Sequence, residues 1–296
     1  MMIREPIAAG RFYSASRERC LAELGECLQA AMQDESATQV DADRIIGGIL
    51  PHAGWICSGA VAGRVVREIG DRHAPAVAIV FGAVHVPHVA RAAVFPSGAW
   101  ETPLGLSMVD DRLIHRICGH TGALENNPHA HDDEHSIEVE VPFVQHLLGG
   151  ATIVPIMVPV TVDAVGLGGS VGRTCRDFGA DCVFLASTDL THYGPAYGFA
   201  PHGVGPDGIR WAREVNDRRM IELMLAMRER DAIKESVMNR NACGGGAIAA
   251  TLAACKAYGA SRAALLTQTT SHDVLTALGH APGNDSVGYA GIVFFA

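Results

Sequence analysis

Apolar positions recur along the chain with two different periods. Over 16–32, Leu21, Leu24, Leu28 and Ala31 fall three and four residues apart, the spacing of one face of a helix. The run 44–50 is short and continuously apolar and stops at Pro51-His52, which predicts a buried strand. The pattern then alternates: a helix over 58–69 with Ser58 as its N-cap, a strand over 76–81, strand character at 91–95 and a helix over 110–118. Ile137, Val141, Val144 and Leu148 mark a helix after His135, with Pro142 inside it. A strand is expected at 151–158, a helix at 162–178 and a strand at 182–187. Charges segregate from Ile, Leu and Met over 209–227, the clearest surface helix. A helix of small residues at 244–258 and strands at 263–269 and 287–294 complete the series, and the polar stretch 34–43 reads as a loop.

Continuously apolar strands alternating with helices predict an α/β fold with a mainly parallel central sheet flanked by helices. No linker, charge block or repeat divides the chain, so residues 1–296 are read as one domain. Composition narrows the class. Hydrophobic residues are 48% and charged residues 19%, which excludes disorder. With 23 Lys and Arg against 32 Asp and Glu, the net charge of −9 argues against a nucleic-acid partner. No apolar run reaches the ~20 residues of a membrane span, and the first ten residues lack a signal-peptide core, so a cytoplasmic location is expected. The eight cysteines form no CxxC pair and read as reduced thiols.

In open α/β sheets, sites gather beyond the carboxyl ends of the strands. His52, His85, and the pair Asp189 and His192 each follow a predicted strand. Cys243 lies in Asn241-Ala-Cys-Gly-Gly-Gly246 before a helix start, where amide donors and the helix dipole favour a thiolate and the glycines admit a ligand to the backbone. Two histidines, a thiolate and the nearby Asp189 and His192 suit iron, copper or zinc better than magnesium or calcium. In the dense polar stretch 129–138, His135 and Glu138 lie one helical turn apart, as pocket residues or as supports for ligands, or as a solvated helix start. No GxxxxGK[ST] phosphate loop occurs, no GxGxxG follows a predicted strand, and no GxSxG stands at a strand-to-helix elbow.

Taken in order, several segments resemble the Memo family. They are Arg4-Glu-Pro-Ile-Ala-Ala-Gly-Arg-Phe-Tyr13, Pro51-His-Ala-Gly-Trp-Ile-Cys-Ser-Gly59, Thr102-Pro-Leu-Gly105, Glu134-His-Ser-Ile-Glu-Val-Glu-Val-Pro-Phe143, Ser187-Thr-Asp-Leu-Thr-His-Tyr-Gly194, Cys243-Gly and Ser286-Val-Gly-Tyr289. The resemblance implies a fold shared with class III extradiol dioxygenases and a pocket for a redox metal, iron or copper. Its ligands would map onto His52, His85 and Cys243, with Asp189 and His192 beside them. It also implies association with radical-SAM and AMMECR1-type proteins. The chain departs from the family's second histidine segment, reading Gly82-Ala-Val-His85-Val-Pro-His88 where Gly-Pro-x-His-His is usual. The dioxygenases use a carboxylate where this chain offers Cys243, a softer and oxidisable ligand.

Three functions follow as expectations. The first is a metal-dependent oxidoreductase or metal-handling protein, with zinc as a further occupant after purification, His192 as general acid or base and Asp189 orienting it. The second is a metal-free thiol hydrolase with Cys243 as nucleophile, His192 or His85 as base and helix-start amides as oxyanion hole. The third is an inactive module holding a peptide or partner in a cleft lined by Trp55 and Trp100, both of which are otherwise core residues.

Overall fold

The computed structural model describes residues 1–32, 40–160, 163–281 and 283–296, and every statement below concerns those residues. The expected loop at 34–43 falls mostly, and the expected helix start at 162 falls wholly, outside them. The strands are β1 (Ile3–Arg4), β2 (Ile45–Leu50), β3 (Val77–Gly82), β4 (Ala92–Val94), β5 (Ala99–Thr102), β6 (Gly105–Met108), β7 (Leu124–Asn126), β8 (Thr152–Met157), β9 (Cys182–Ser187), β10 (His192–Tyr193), β11 (Arg262–Thr270) and β12 (Ser286–Phe295). The helices are α1 (Arg17–Met32), α2 (Trp55–Gly70), α3 (Asp111–His120), α4 (Val141–Leu147), α5 (Asp163–Asp177), α6 (Pro206–Trp211), α7 (Arg218–Leu225), α8 (Glu229–Asn239), α9 (Gly245–Tyr258) and α10 (Ser271–Ala277).

A nine-stranded sheet runs β10-β12-β2-β9-β3-β8-β4-β7, with β11 paired to β12, and helices flank it. Its centre matches the expected parallel arrangement: β2, β9, β3 and β8 are parallel, in the register Gly47–Phe184, Val77–Cys182 and Val77–Thr152. The flanks join it antiparallel, because β12 pairs with β2 and β11 and β4 pairs with β8 in that sense, while β4 and β7 are parallel to each other. The four central strands are buried on both faces, as parallel strands between helix layers must be. A small three-stranded sheet, β1-β5-β6, has no counterpart in the sequence reading, since its strands are two to four residues long.

Helix α9 is the innermost helix. It is buried from Gly245 through Cys255 and is therefore apolar on every side. It lies against α5 at close range: a Cβ on Gly168 or Gly172 would run into the Ala250 or Ala254 carbonyl. The three glycines after Cys243 do similar work. Cβ atoms there would meet Ser187 O (from Gly244), Ser236 Oγ (from Gly245) and Pro159 O (from Gly246). They let the helix start press against strand ends, so the backbone approach they permit is to the protein itself and not to a ligand.

Three local expectations are corrected. Helix α2 starts at Trp55 with Gly54 as its cap, and Ser58 sits inside, its hydroxyl donating to Ala53 O at 2.8 Å. Residues 135–140 are turns, and α4 begins at Val141, so Pro142 stands in a first turn where its missing N–H costs nothing. The expected helix at 209–227 is α6 and α7 joined by a π-helical segment, Ala212–Asp217. That wider turn places Asn216 and Asp217 inward, where Asn216 Nδ2 donates to Thr191 Oγ1 (3.0 Å) and Asp217 Oδ1 accepts from Thr191 N–H (2.9 Å). The segment thereby fixes the chain one residue before His192.

Candidate metal centre

Three parallel strands end side by side, and the residues just beyond them meet a fourth segment, the approach to α9. The nitrogen and sulfur ligand atoms of His52, His85 and Cys243 all lie within 4.8 Å of one another. His52 is buried and its backbone N–H donates to Asp189 Oδ1 at 2.9 Å. Its Nδ1 lies 2.7 Å from Ser187 Oγ, and that hydroxyl donates its single proton to Ser136 O at 2.6 Å. Ser187 therefore accepts from His52 Nδ1–H, which leaves Nε2 as the ring nitrogen that faces the site. That Nε2 lies 3.4 Å from Cys243 Sγ.

His85 is set the same way by a different partner. Glu134 Oε2 accepts the His85 backbone N–H at 2.5 Å, and Oε1 lies 2.9 Å from His85 Nδ1. Oε1 also accepts the N–H groups of His135 and Ser136, each at 2.9 Å. Burial alone would raise the Glu134 pKa, but these bonds and the His85 charge win and hold it down at about 2. Glu134 is thus an acceptor only, His85 Nδ1 is its donor, and Nε2 is left for the site. The carboxylate reaches His85 because Gly82 leaves room: a Cβ there would lie 2.6 Å from Ile137 Cγ1 and 2.9 Å from Ser136 Oγ. His85, Glu134 and His135 also cluster tightly, but Glu134 already accepts four donors, so this group is a support and not a second centre.

Cys243 is half-buried, one residue before the Gly244 cap of α9. Its sulfur accepts the Asp189 N–H at 3.3 Å, and its own N–H donates to Asp189 O at 3.2 Å. Burial pushes the thiol pKa up, yet the charge of His52 and hydrogen bonds to His52 and His85 pull it down to about 6. The His85 pKa is lowered by burial and raised more strongly by Cys243 and Glu134, to about 10. A thiolate beside two tethered imidazoles is balanced by a shared proton or by a cation held among the three.

His135 stacks on His85 with ring centroids 5.0 Å apart and lies 5.5 Å from His52. Burial and the His52 charge lower its pKa to about 4, so its ring is neutral. Asp189 is buried, which raises its pKa, and its Oδ2 is 3.9 Å from His192 Nε2. Burial lowers the His192 pKa, against the Asp189 charge. Glu138 faces away from the histidines: its carboxylate takes Arg4 Nη1 (2.6 Å), the Ile7 and Ala8 N–H groups (2.9 and 2.8 Å) and Tyr13 OH (2.9 Å). Trp55 is packed between Tyr13 and Phe143, its Nε1 donating to Val139 O, and Trp100 is buried under Arg4, so neither lines a cleft.

Three further residues shape the site without having been singled out in the sequence: Glu134, Ser187 and Glu140. Glu134 and Ser187 set the two imidazoles, and both lie in quoted motifs. Glu140 is fully buried near Ser187, neither of its oxygens makes a regular hydrogen bond, and burial pushes its pKa well up, which disfavours its charged form. Only its position in an otherwise apolar run, Val139-Glu-Val141, signals it.

A family model described as Memo-like protein matches residues 4–293. A MEMO1 family protein of Pyrococcus furiosus is 36% identical over 300 residues, covering 99% of both chains. One from Thermococcus kodakarensis is 34% identical over 306 residues, again 99% of both. Among solved structures, an uncharacterized protein of Escherichia coli K12 aligns with a TM-score of 0.47 at 12% identity, covering 84% of this chain and 99% of that one. No helix is long and apolar enough to cross a membrane.

Proposed function

The chain belongs to the Memo family, and from that premise we propose that it is a non-haem redox-metal protein, an oxidoreductase or a metal handler, binding iron or copper through His52 Nε2, His85 Nε2 and Cys243 Sγ. The observation that carries this is the convergence of three ligand atoms within 4.8 Å, with the opposite nitrogen of each imidazole already tied to Ser187 or Glu134. Metal-binding histidines are oriented in this way, and a carboxylate behind one of them raises its basicity. The donor set fits a borderline or soft cation, including zinc, and a thiolate leans it towards copper within the pair. The dioxygenase-like fold is part of the same proposal.

Bound iron or copper would supply electron transfer and activation of an oxygen-containing substrate. The chain's own part is separate. His192, whose charged form burial disfavours, would take or give a proton beside the Asp189 carboxylate, which lies 3.9 Å from its Nε2. His135 stacks on His85 as a neutral wall of the site. Functional association with radical-SAM and AMMECR1-type proteins belongs to the same proposal. The thiol-hydrolase reading loses a needed donor, because the first amide at the helix start, Gly244 N–H, donates to Thr188 Oγ1 at 2.9 Å. The partner-binding reading loses the two buried tryptophans.

Metal content by mass spectrometry after anaerobic, tag-free purification tests the proposal. Near-stoichiometric iron or copper in wild type, lost in both His52→Ala and Cys243→Ser, is expected. Wild-type protein that takes up neither metal after reconstitution would overturn it.

A further inference from the structure

One buried side chain joins the loop that carries His192 to the approach that carries Cys243. Asn216 lies in the π-helical segment Ala212–Asp217 and is fully buried. Its Nδ2 donates to Thr191 Oγ1 and to Asn239 O, each at 3.0 Å, and its backbone O accepts from Asn241 Nδ2 at 2.8 Å. A carbonyl can only accept, so the bond to Asn239 O fixes which end of the Asn216 amide carries the hydrogens. Thr191 immediately precedes His192, and Asn239 and Asn241 straddle Arg240, three residues before Cys243.

The turn that Asn216 grips is strained. Arg240 has φ +50°, a left-handed backbone at the end of α8 where Gly is the relaxed choice. Such a backbone persists in a non-glycine residue only where its surroundings over-determine it. Here both neighbours of Arg240 are tied to one residue, Asn239 by its carbonyl and Asn241 by its side chain. Glu235 Oε1 adds to the grip by accepting from the same two asparagine side chains, at 2.8 and 3.1 Å. From this turn the chain runs straight to Cys243, whose N–H donates to Asp189 O at 3.2 Å and whose sulfur accepts the Asp189 N–H at 3.3 Å. The 189–192 loop and the 239–243 approach are thus linked twice, directly at Asp189–Cys243 and at depth through Asn216. The wide π-helical turn brings Asn216 and Asp217 inward together, and Gly288 makes room for the Asp217 carboxylate, which a Cβ there would strike.

We propose that Asn216 is a positioning residue: by clamping the left-handed turn at Arg240 and the hydroxyl of Thr191, it holds the Cys243 sulfur in place against His52 and the His192 loop. Without the clamp, Arg240 relaxes towards a right-handed backbone. A change of φ there swings the residues that follow, and Cys243 leaves the Asp189 N–H and the His52 Nε2, which lies 3.4 Å from its sulfur. The proposal rests on the metal-site reading for the use of the sulfur as a ligand, but the clamp is testable without metal.

Cys243 itself is the reporter. In metal-free protein, the rate at which its thiolate displaces iodide from iodoacetamide is followed against pH by peptide mass spectrometry, and amide exchange over 188–193 and 239–245 is followed on the same samples. In Asn216→Ala the midpoint of the pH profile should rise from about 6 towards the ~8.5 of a free thiol, by about one unit or more, and exchange should quicken in both segments. Adding Arg240→Gly, which relaxes the turn without the clamp, should recover about half of the shift or more. Ile117→Ala, a core truncation in α3, lowers stability without touching either loop and should leave the profile and both segments as in wild type. Where Asn216→Ala does not fold, Asn241→Ala cuts one bond of the clamp and is read in the same way, with a smaller shift in the same direction. An unchanged midpoint, the same shift in Ile117→Ala, or no recovery with Arg240→Gly overturns the proposal. Uptake of iron and copper is measured on the same proteins: a wild type that takes up neither metal, with the shift present in the variant, defeats the metal reading alone, and wild-type uptake with no shift in the variant defeats this inference alone.

Discussion

Glu134 and Glu138 lie four residues apart, and both are buried carboxylates with every oxygen engaged, yet they do opposite jobs. Around Glu138 everything closes. Arg4 gives Nη1 to the carboxylate, Nε to His131 O and Nη2 to Glu134 O, and two amides and a tyrosine hydroxyl complete the donors to Glu138. Such a knot pins the amino-terminal segment and has no bonding capacity left. Around Glu134 the chain of bonds ends on His85, whose Nε2 converges with His52 Nε2 and Cys243 Sγ. What marks the functional cluster is the surplus of aligned ligand atoms, and burial and charge alone do not distinguish the two.

The largest expected effect breaks the closed knot. Arg4→Met or Glu138→Gln should each cost about 3–5 kcal/mol in denaturant unfolding, because each strands a buried charge or its donors. The double variant Arg4→Met/Glu138→Leu should cost less than the sum, and metal content per folded molecule should hold in all of them. Glu134→Gln sharpens the contrast from the other side. Metal affinity should fall about 10- to 100-fold, read by competition with a chelator, as expected when the group behind a ligand is lost. Equal loss of metal in the Glu138 variants would erase the distinction.

A smaller effect separates the two by pH. His131, against Phe95 and Trp100 beside the closed knot, is buried, and burial and then the Arg4 charge lower its pKa from 6.5 to about 3. The unfolded chain takes this proton near pH 6.5 and the folded one does not. Stability from His131 is therefore complete above pH 6.5 and is lost as the pH falls towards 3, by about 1.4 kcal/mol at pH 5.5. His131→Phe should remove that slope, as unfolding curves at pH 7.5 and 5.5 would show. Smallest of all, Glu140→Gln should change stability at pH 7 by less than about 1 kcal/mol, since burial already disfavours the charge that Gln removes. A loss of several kcal/mol would show that Glu140 is ionised.

The strands and the strand-end histidines were legible because a continuously apolar run ended by a polar residue has few other folded fates. His52, His85, Asp189, His192 and Cys243 meet at the carboxyl ends of β2, β3 and β9, where such runs place them. The antiparallel flank at β12 was not legible, since that strand is as continuously apolar and buried as a parallel one and only pairing tells them apart. Helical spacing paired His135 with Glu138, but 135–140 is a turn, and the carboxylate behind His85 is Glu134. The glycines after Cys243 suggested an open backbone, while the helix uses them to pack on strand ends, a contact no local pattern records.

The central claim is that the surplus ligand atoms hold a metal. X-ray absorption at the metal edge of iron- or copper-loaded protein tests it most directly. The account predicts one sulfur and two imidazole nitrogens in the wild-type coordination shell, with the sulfur gone in Cys243→Ser. A shell of oxygen and nitrogen only, unchanged by that substitution, would contradict it.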